Sequence, residues 1–269
     1  ATGVGFALLA FLLQDTINFA SQVPGTMTTA FALASVMVAS RYESGVAVVG
    51  CGIRRVQWWA NAALACLVTL VVGIVIPVGQ CNRYLRRARQ AKSAASALML
   101  YERAGKWDAF DPQPFLESAR VHKSMARGEE CGPYLAAIEE VEEAIRRDPW
   151  HLPEYRLKSL CHLACAELAG DAAHFDAAVT AAENVVRLYP TDPASHELLA
   201  ECLAALGRSQ RDTEALWRAA DHYRRALEID AARPAWEKIR RLRPGQRTAL
   251  EEAARRVESL AEGWSRDAP

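Results

Sequence analysis

The chain has 269 residues, 51% of them hydrophobic, with Lys+Arg and Asp+Glu each totalling 32. A formal net charge of zero excludes a global field that would gather nucleic acid, so no nucleic-acid partner is expected. Seven cysteines, an odd number at scattered positions, exclude the disulfide-stapled secreted class.

The charges are unevenly spread. Residues 1–79 carry few, while from Arg83 onward the chain is charged and alanine-rich. Three apolar segments stand in the first part, at about 4–20, 24–40 and 56–79. A spanning helix needs about 20 largely apolar residues, so residues 1–82 read as transmembrane helices, the first two joined by a Pro24-Gly25 turn. Nothing basic precedes the apolar run at 6–13, which argues against a signal peptide. Gln14, Asp15 and Asn18 are the costly groups, because a carboxylate in hydrocarbon must face protein or water. Three helices offer them little to pair with, so further helices are expected upstream of Ala1; the alternative sets Asp15 at the membrane surface. Arg41, Arg54 and Arg55 flank one end of the third segment, and Arg83, Arg86, Arg87, Arg89 and Lys92 the other. One crossing puts these clusters on opposite sides, and the preference of basic residues for the cytoplasm cannot satisfy both.

Residues 83–110 read as a juxtamembrane helix and linker, and 111–269 as helical repeats. Corners recur at Asp111-Pro112, Asp148-Pro149 and Tyr189-Pro190, with Ile229-Asp230-Ala231 in the same place, at spacings of 37, 41 and 41 residues. A helical pattern precedes each of the last three: Ala137, Val141, Ala144 and Ile145; then Ala178, Ala182 and Val185; then Ala219, Tyr223, Ala226 and Leu227. Small residues at these places let helices approach closely. With Leu199, Ala200, Leu203 and Gly207 on the preceding helix, the pattern resembles the tetratricopeptide repeat, whose usual period is about 34 residues. The signature Trp and Tyr of its first helix are absent, and a longer loop between paired helices is expected at 208–213. After Pro234, a short helix and then residues 247–263 are expected to cap the stack. The fold class expected is therefore all-α: about three transmembrane helices followed by a tetratricopeptide-like α-solenoid.

The repeats are expected to offer a protein or peptide partner a concave groove lined by Tyr155, Lys158 and His162 in one unit and His196 in the next. Glu142 and Glu143 sit four residues before Arg146 and Arg147, a spacing that supports an exposed helix. No phosphate-binding loop, nucleophile elbow or paired metal motif is present, so no catalytic residue, cofactor or metal is assigned. Cys161, His162 and Cys165 come nearest to a metal cluster, but a packed helix with two thiols accounts for them. The other histidines, scattered over repeat helices and corners, read mostly as surface residues.

Residues 12–19, Leu-Leu-Gln-Asp-Thr-Ile-Asn-Phe, followed by Val23-Pro24, resemble a late transmembrane segment of the O-antigen ligase and polymerase family. Members carry His, three residues, Asp-Phe and then a proline turn. Here Gln14 takes the His place and Asn18 the Asp place, while Phe19 and Pro24 match. Many members then add a transmembrane helix and a tetratricopeptide domain. The resemblance implies the C-terminal part of a multi-pass glycosyltransferase of the bacterial inner membrane, with its repeats on the outer (periplasmic) face. The lipid-linked glycan would be met by an upstream domain, membrane lipid would surround the helices, and no catalytic residue carries over. The alternative is a membrane-anchored tetratricopeptide scaffold without enzymatic activity.

Overall fold

The computed structural model describes residues 73, 75–126, 130–234, 236 and 241–267. The chain divides into two compact units, Ala1–Val78 and Gly79–Pro269. Every regular element among the described residues is helical: α1 (Ile76–Arg89), α2 (Ala94–Trp107), α3 (Gln113–Met125), α4 (Gly132–Arg147), α5 (Leu152–Ala169), α6 (Ala172–Leu188), α7 (Pro193–Gln210), α8 (Thr213–Ala232) and α9 (Pro244–Asp267). From α2 on, each helix packs against the next in chain order, and α1 joins α2 in an apolar cluster of Cys81, Leu85, Ala88, Ala97, Tyr101 and Ala104. The second unit is thus an all-α solenoid of helix pairs, α1–α2, α3–α4, α5–α6 and α7–α8, closed by α9.

Three of the four second helices, α2, α6 and α8, start on a short polar cap, whereas α4 follows Cys131 with Pro133 in its first turn. Ser93 accepts from the Ser96 N–H at 3.3 Å, Asp171 from Ala173 at 3.0 Å, and Asp212 from Glu214 and Ala215 at 2.9 and 3.2 Å. Between pairs, proline stands in the first turn of the next helix, at Pro114, Pro153 and Pro193, where a missing N–H costs nothing. Gly170 (φ 66°) and Arg211 (φ 55°) end α5 and α7 in the left-handed region, forty-one residues apart in equivalent places. Corners of adjacent pairs are tied by arginine. Arg147 stacks on Phe115 at 4.1 Å and donates to the carbonyls of Asp108 and Asp111 at 2.7 and 3.3 Å, and Arg233 donates to that of Thr191 at 3.3 Å.

One spacing runs through all four second helices: Ala97, Tyr101, Ala104; Ala137, Val141, Ala144; Ala178, Ala182, Val185; Ala219, Tyr223, Ala226. None of these is more than 7% exposed. The first of these rows lies in the stretch 83–110, so the pairing of helices starts upstream of the Asp111-Pro112 corner. First helices fill the space against these rows with Leu116, Leu157, Leu198, Leu199 and Leu203. On α9, Leu250, Ala254, Val257 and Ala261 form one helical stripe buried in the same cluster as α7 and α8.

Two expectations change. No long loop occupies 208–213: α7 continues to Gln210, leaving Arg211 and Asp212 as the whole connection. The period of 41 residues is therefore made of helix, with α7 and α8 of 18 and 20 residues. Gly207 makes the tight turn possible, since a Cβ there would stand 2.8 Å from Leu216 Cγ and 3.0 Å from the Asp212 carbonyl oxygen.

The second correction concerns the membrane. No helix among the described residues is long and apolar enough to cross a membrane, which overturns the assignment to the bacterial inner membrane as a multi-pass protein with periplasmic repeats. The physical reason is charge: α1 carries Arg83, Arg86, Arg87 and Arg89, and the longer α8 and α9 are polar on every face but one. The expected spans 4–20 and 24–40, most of 56–79, and Gln14, Asp15 and Asn18 lie outside the described residues, so the three transmembrane helices gain no support.

Candidate protein-interaction site

The four residues expected to line a groove lie on the first helices α5 and α7, and each is engaged by a neighbour. The Tyr155 hydroxyl donates to the Pro149 carbonyl at 3.2 Å, and His196 Nε2 stands 3.0 Å from the equivalent carbonyl of Pro190. These two are counterparts, forty-one residues apart, and each pins a helix to its corner. Lys158 pairs with Glu142 of α4 at 2.6 Å. His162 turns to His174 of α6, and His196, only 6% exposed, to His222 of α8. The structure therefore spreads the four over contacts with α4, α6, α8 and the corners.

A second set of charges on the same helices is left over. Arg156 and Glu167 of α5 and Glu197 and Glu201 of α7 make no ion pair within 4.0 Å among the described residues. Ion pairs do form between other helices of the stack, as in Glu183 with Arg218 at 3.0 Å and Arg224 with Glu258 of α9. Arg156, Leu160, Leu163 and Glu167 follow one face of α5, with Glu197 and Glu201 one turn apart on α7. Loss of hydration raises the Glu201 carboxyl above its usual range, Glu197 raises it further, Arg156 opposes, and Glu167 adds to the rise. Glu197 is raised by burial first and lowered by Arg156. These charges sense one another without neutralising one another. Leu160 and Leu163, both partly buried against the core, lie between Arg156 and Glu167.

Helical spacing alone could have placed Arg156 and Glu167 on this face. Nothing in the sequence showed that Lys158 and His162, two and six residues from Arg156, would be taken up by α4 and α6. Elsewhere, Cys161 and Cys165 are buried in the apolar cluster of α3, α4 and α5. Burial lifts their thiols to about 11 and about 12, with Cys131 the next cause for Cys165. Among the described residues no group of three or more His, Cys, Asp or Glu is placed to hold a metal ion. Ser159 donates to the Ala178 carbonyl at 2.9 Å, which leaves its oxygen to accept from the Cys202 thiol at 3.2 Å. That link joins three consecutive helices, α5, α6 and α7, through the core.

No family model and no curated protein matches the chain. Among solved structures it is similar to MamA 41-end from Desulfovibrio magneticus RS-1, with 15% identity, TM-score 0.45, and coverage of 68% of this chain and 96% of that one. It is also similar to TTC0263, a thermophilic TPR protein of Thermus thermophilus, with 19% identity, TM-score 0.37, and coverage of 66% and 98%. Likenesses this loose say nothing of function, and the tetratricopeptide-like assignment stands on the helix pairing and the alanine rows. The O-antigen ligase resemblance finds no support among them, and neither do the glycan and lipid partners it implied.

Proposed function

We propose that the second unit is a protein-interaction scaffold of tetratricopeptide-like repeats that holds an extended basic peptide along the first-helix face of α5 and α7. The observation that carries this reading is the cluster of Arg156, Glu167, Glu197 and Glu201, which act on one another without an ion pair within 4.0 Å, around the apolar stripe of Leu160 and Leu163. An apolar anchor of the peptide would lie on the two leucines, and its Lys or Arg side chains would meet the three carboxylates, charge-assisted bonds being roughly twice as strong as neutral ones. Arg156 limits the net negative charge and would orient a peptide acid or C-terminal carboxylate. The reading keeps the scaffold alternative and leaves out the glycosyltransferase.

The test is to pan a random peptide library on the full chain and measure the selected peptides by titration calorimetry. Enriched sequences should be Lys- or Arg-containing, and Glu197→Lys with Glu201→Lys should weaken them at least 30-fold, about 2 kcal/mol at a hot spot. Enriched peptides that bind the double variant as well as the parent would remove the proposed face.

A further inference from the structure

Four of the six histidines form two contacts of the same geometry in consecutive repeats. His162 of α5 meets His174 of α6, and His196 of α7 meets His222 of α8, each with Nδ1 atoms 3.0 Å apart and ring centroids 5.3 Å apart. The centroid separation exceeds the nitrogen separation by little more than two ring radii, so the in-plane nitrogens point straight at each other. Such a contact requires one proton between the two nitrogens. With one proton it is an N–H···N hydrogen bond; with two, a pair of N–H groups collides.

In the second pair the tautomers follow from the neighbours. His196 Nε2 is 3.0 Å from the Pro190 carbonyl, which can only accept, so Nε2 carries the hydrogen and Nδ1 of neutral His196 is the acceptor. His222 Nδ1 is then the donor. Each pair also bridges the first helix of a repeat to its second. We propose that the two histidine pairs are an acid-sensitive latch: each holds its helices together with a single bridging proton, and entry of a second proton at the contact opens it.

The surroundings bias the pairs toward the closed form. Around His162 stand Lys158 on its own helix, Glu142 on α4 and His174 on α6; around His222 stand Arg218 and Asp221 on its own helix, Glu183 on α6 and His196 on α7. Burial is the first cause that lowers His162, to about 4, followed by Lys158 and His174, with Glu142 opposing. Burial likewise leads the lowering of His222, followed by His196 and Arg218, with Asp221 and Glu183 opposing. A folded value below the unfolded one means that the stabilisation is complete above about pH 6.5 and is lost as pH falls toward about 4. The raised carboxyls Glu140, Glu154, Glu197 and Glu201 act with the opposite sign, adding stability as pH falls, so the latch is read as a difference between variants.

The experiment is equilibrium denaturation of the full chain between pH 7.5 and 4, comparing the parent with His162→Asn/His222→Asn. Unfolding frees four histidines that each take up a proton in acid, whereas each closed pair can add only one, on the outer nitrogen of its donor ring rather than at the contact, so the parent should take up about two more protons than the double variant. Its unfolding constant should accordingly rise up to about 100-fold more per pH unit near pH 5. Single variants should each remove one proton from the difference. A parent and double variant with parallel pH profiles would overturn the latch. Should the variants not fold, imidazole proton resonances of the parent decide: one histidine of each pair must stay neutral below pH 5, and titration of all four near pH 6.5 without loss of structure overturns the proposal.

Discussion

Replacing Leu203 by alanine should lower the stability of the stack by about 3 kcal/mol, read as a shift of the urea midpoint at unchanged slope. Leu203 is fully buried in a cluster that gathers Ala178, Ala182 and Val185 of α6, Leu198 and Leu199 of α7, Leu216, Ala219 and Tyr223 of α8, and Leu250 and Val257 of α9. Its methyls fill the space that the alanine rows leave open. The rows cannot close over the cavity without helices sliding, because alanine has no side chain to lend. The same change at Leu168, 40% exposed at the end of α5, should cost under about 0.5 kcal/mol and serves as the control.

Asp230→Ala should cost a similar amount, about 3 kcal/mol, by releasing α9 from the last pair. Asp230 is 1% exposed, accepts the Leu242 N–H at 2.7 Å and pairs with Arg247 at 2.6 Å. Burial alone would raise this carboxyl, but the bonds from Leu242 and Arg247, with the charges of Arg247 and Arg241, hold it below its usual value. A depressed folded value means that its contribution is complete above about pH 4 and is lost as pH falls through that lower value. The gap between parent and variant should therefore be full at pH 7 and shrink at the acid end. Arg247 is 44% exposed, which keeps the effect at the lower end of the range for breaking a buried pair. Hydrogen exchange should show the loss concentrated in the stripe Leu250, Ala254, Val257 and Ala261.

The repeat half was legible because its signal is geometric. Ala137, Val141 and Ala144 recur at a fixed spacing, and only close helix packing requires small residues there. The same signal stands at Ala97, Tyr101 and Ala104, before the Asp111-Pro112 corner, within the stretch 83–110 expected to be a juxtamembrane helix and linker. Loop length misled for a different reason: Gly207 looks like a helix end, yet it is a point of close approach, and Arg211 takes the left-handed place that Gly170 holds in the preceding pair. Site residues were harder to read. Periodicity puts Lys158, His162 and Arg156 on one helix without saying which neighbour each will meet. Pairing of His162 with His174, and of His196 with His222, depends on helix register that no single helix encodes.

The charges of Arg156, Glu167, Glu197 and Glu201 on α5 and α7 are proposed to mark the face that takes a partner, and the most direct test is the hydrogen-exchange footprint of a library-selected basic peptide on the full chain at pH 7. Slowed exchange confined to α5 and α7, near Arg156, Glu167, Glu197 and Glu201, is the predicted result. A footprint on α6, α8 or α9 that leaves α5 and α7 unchanged would contradict it.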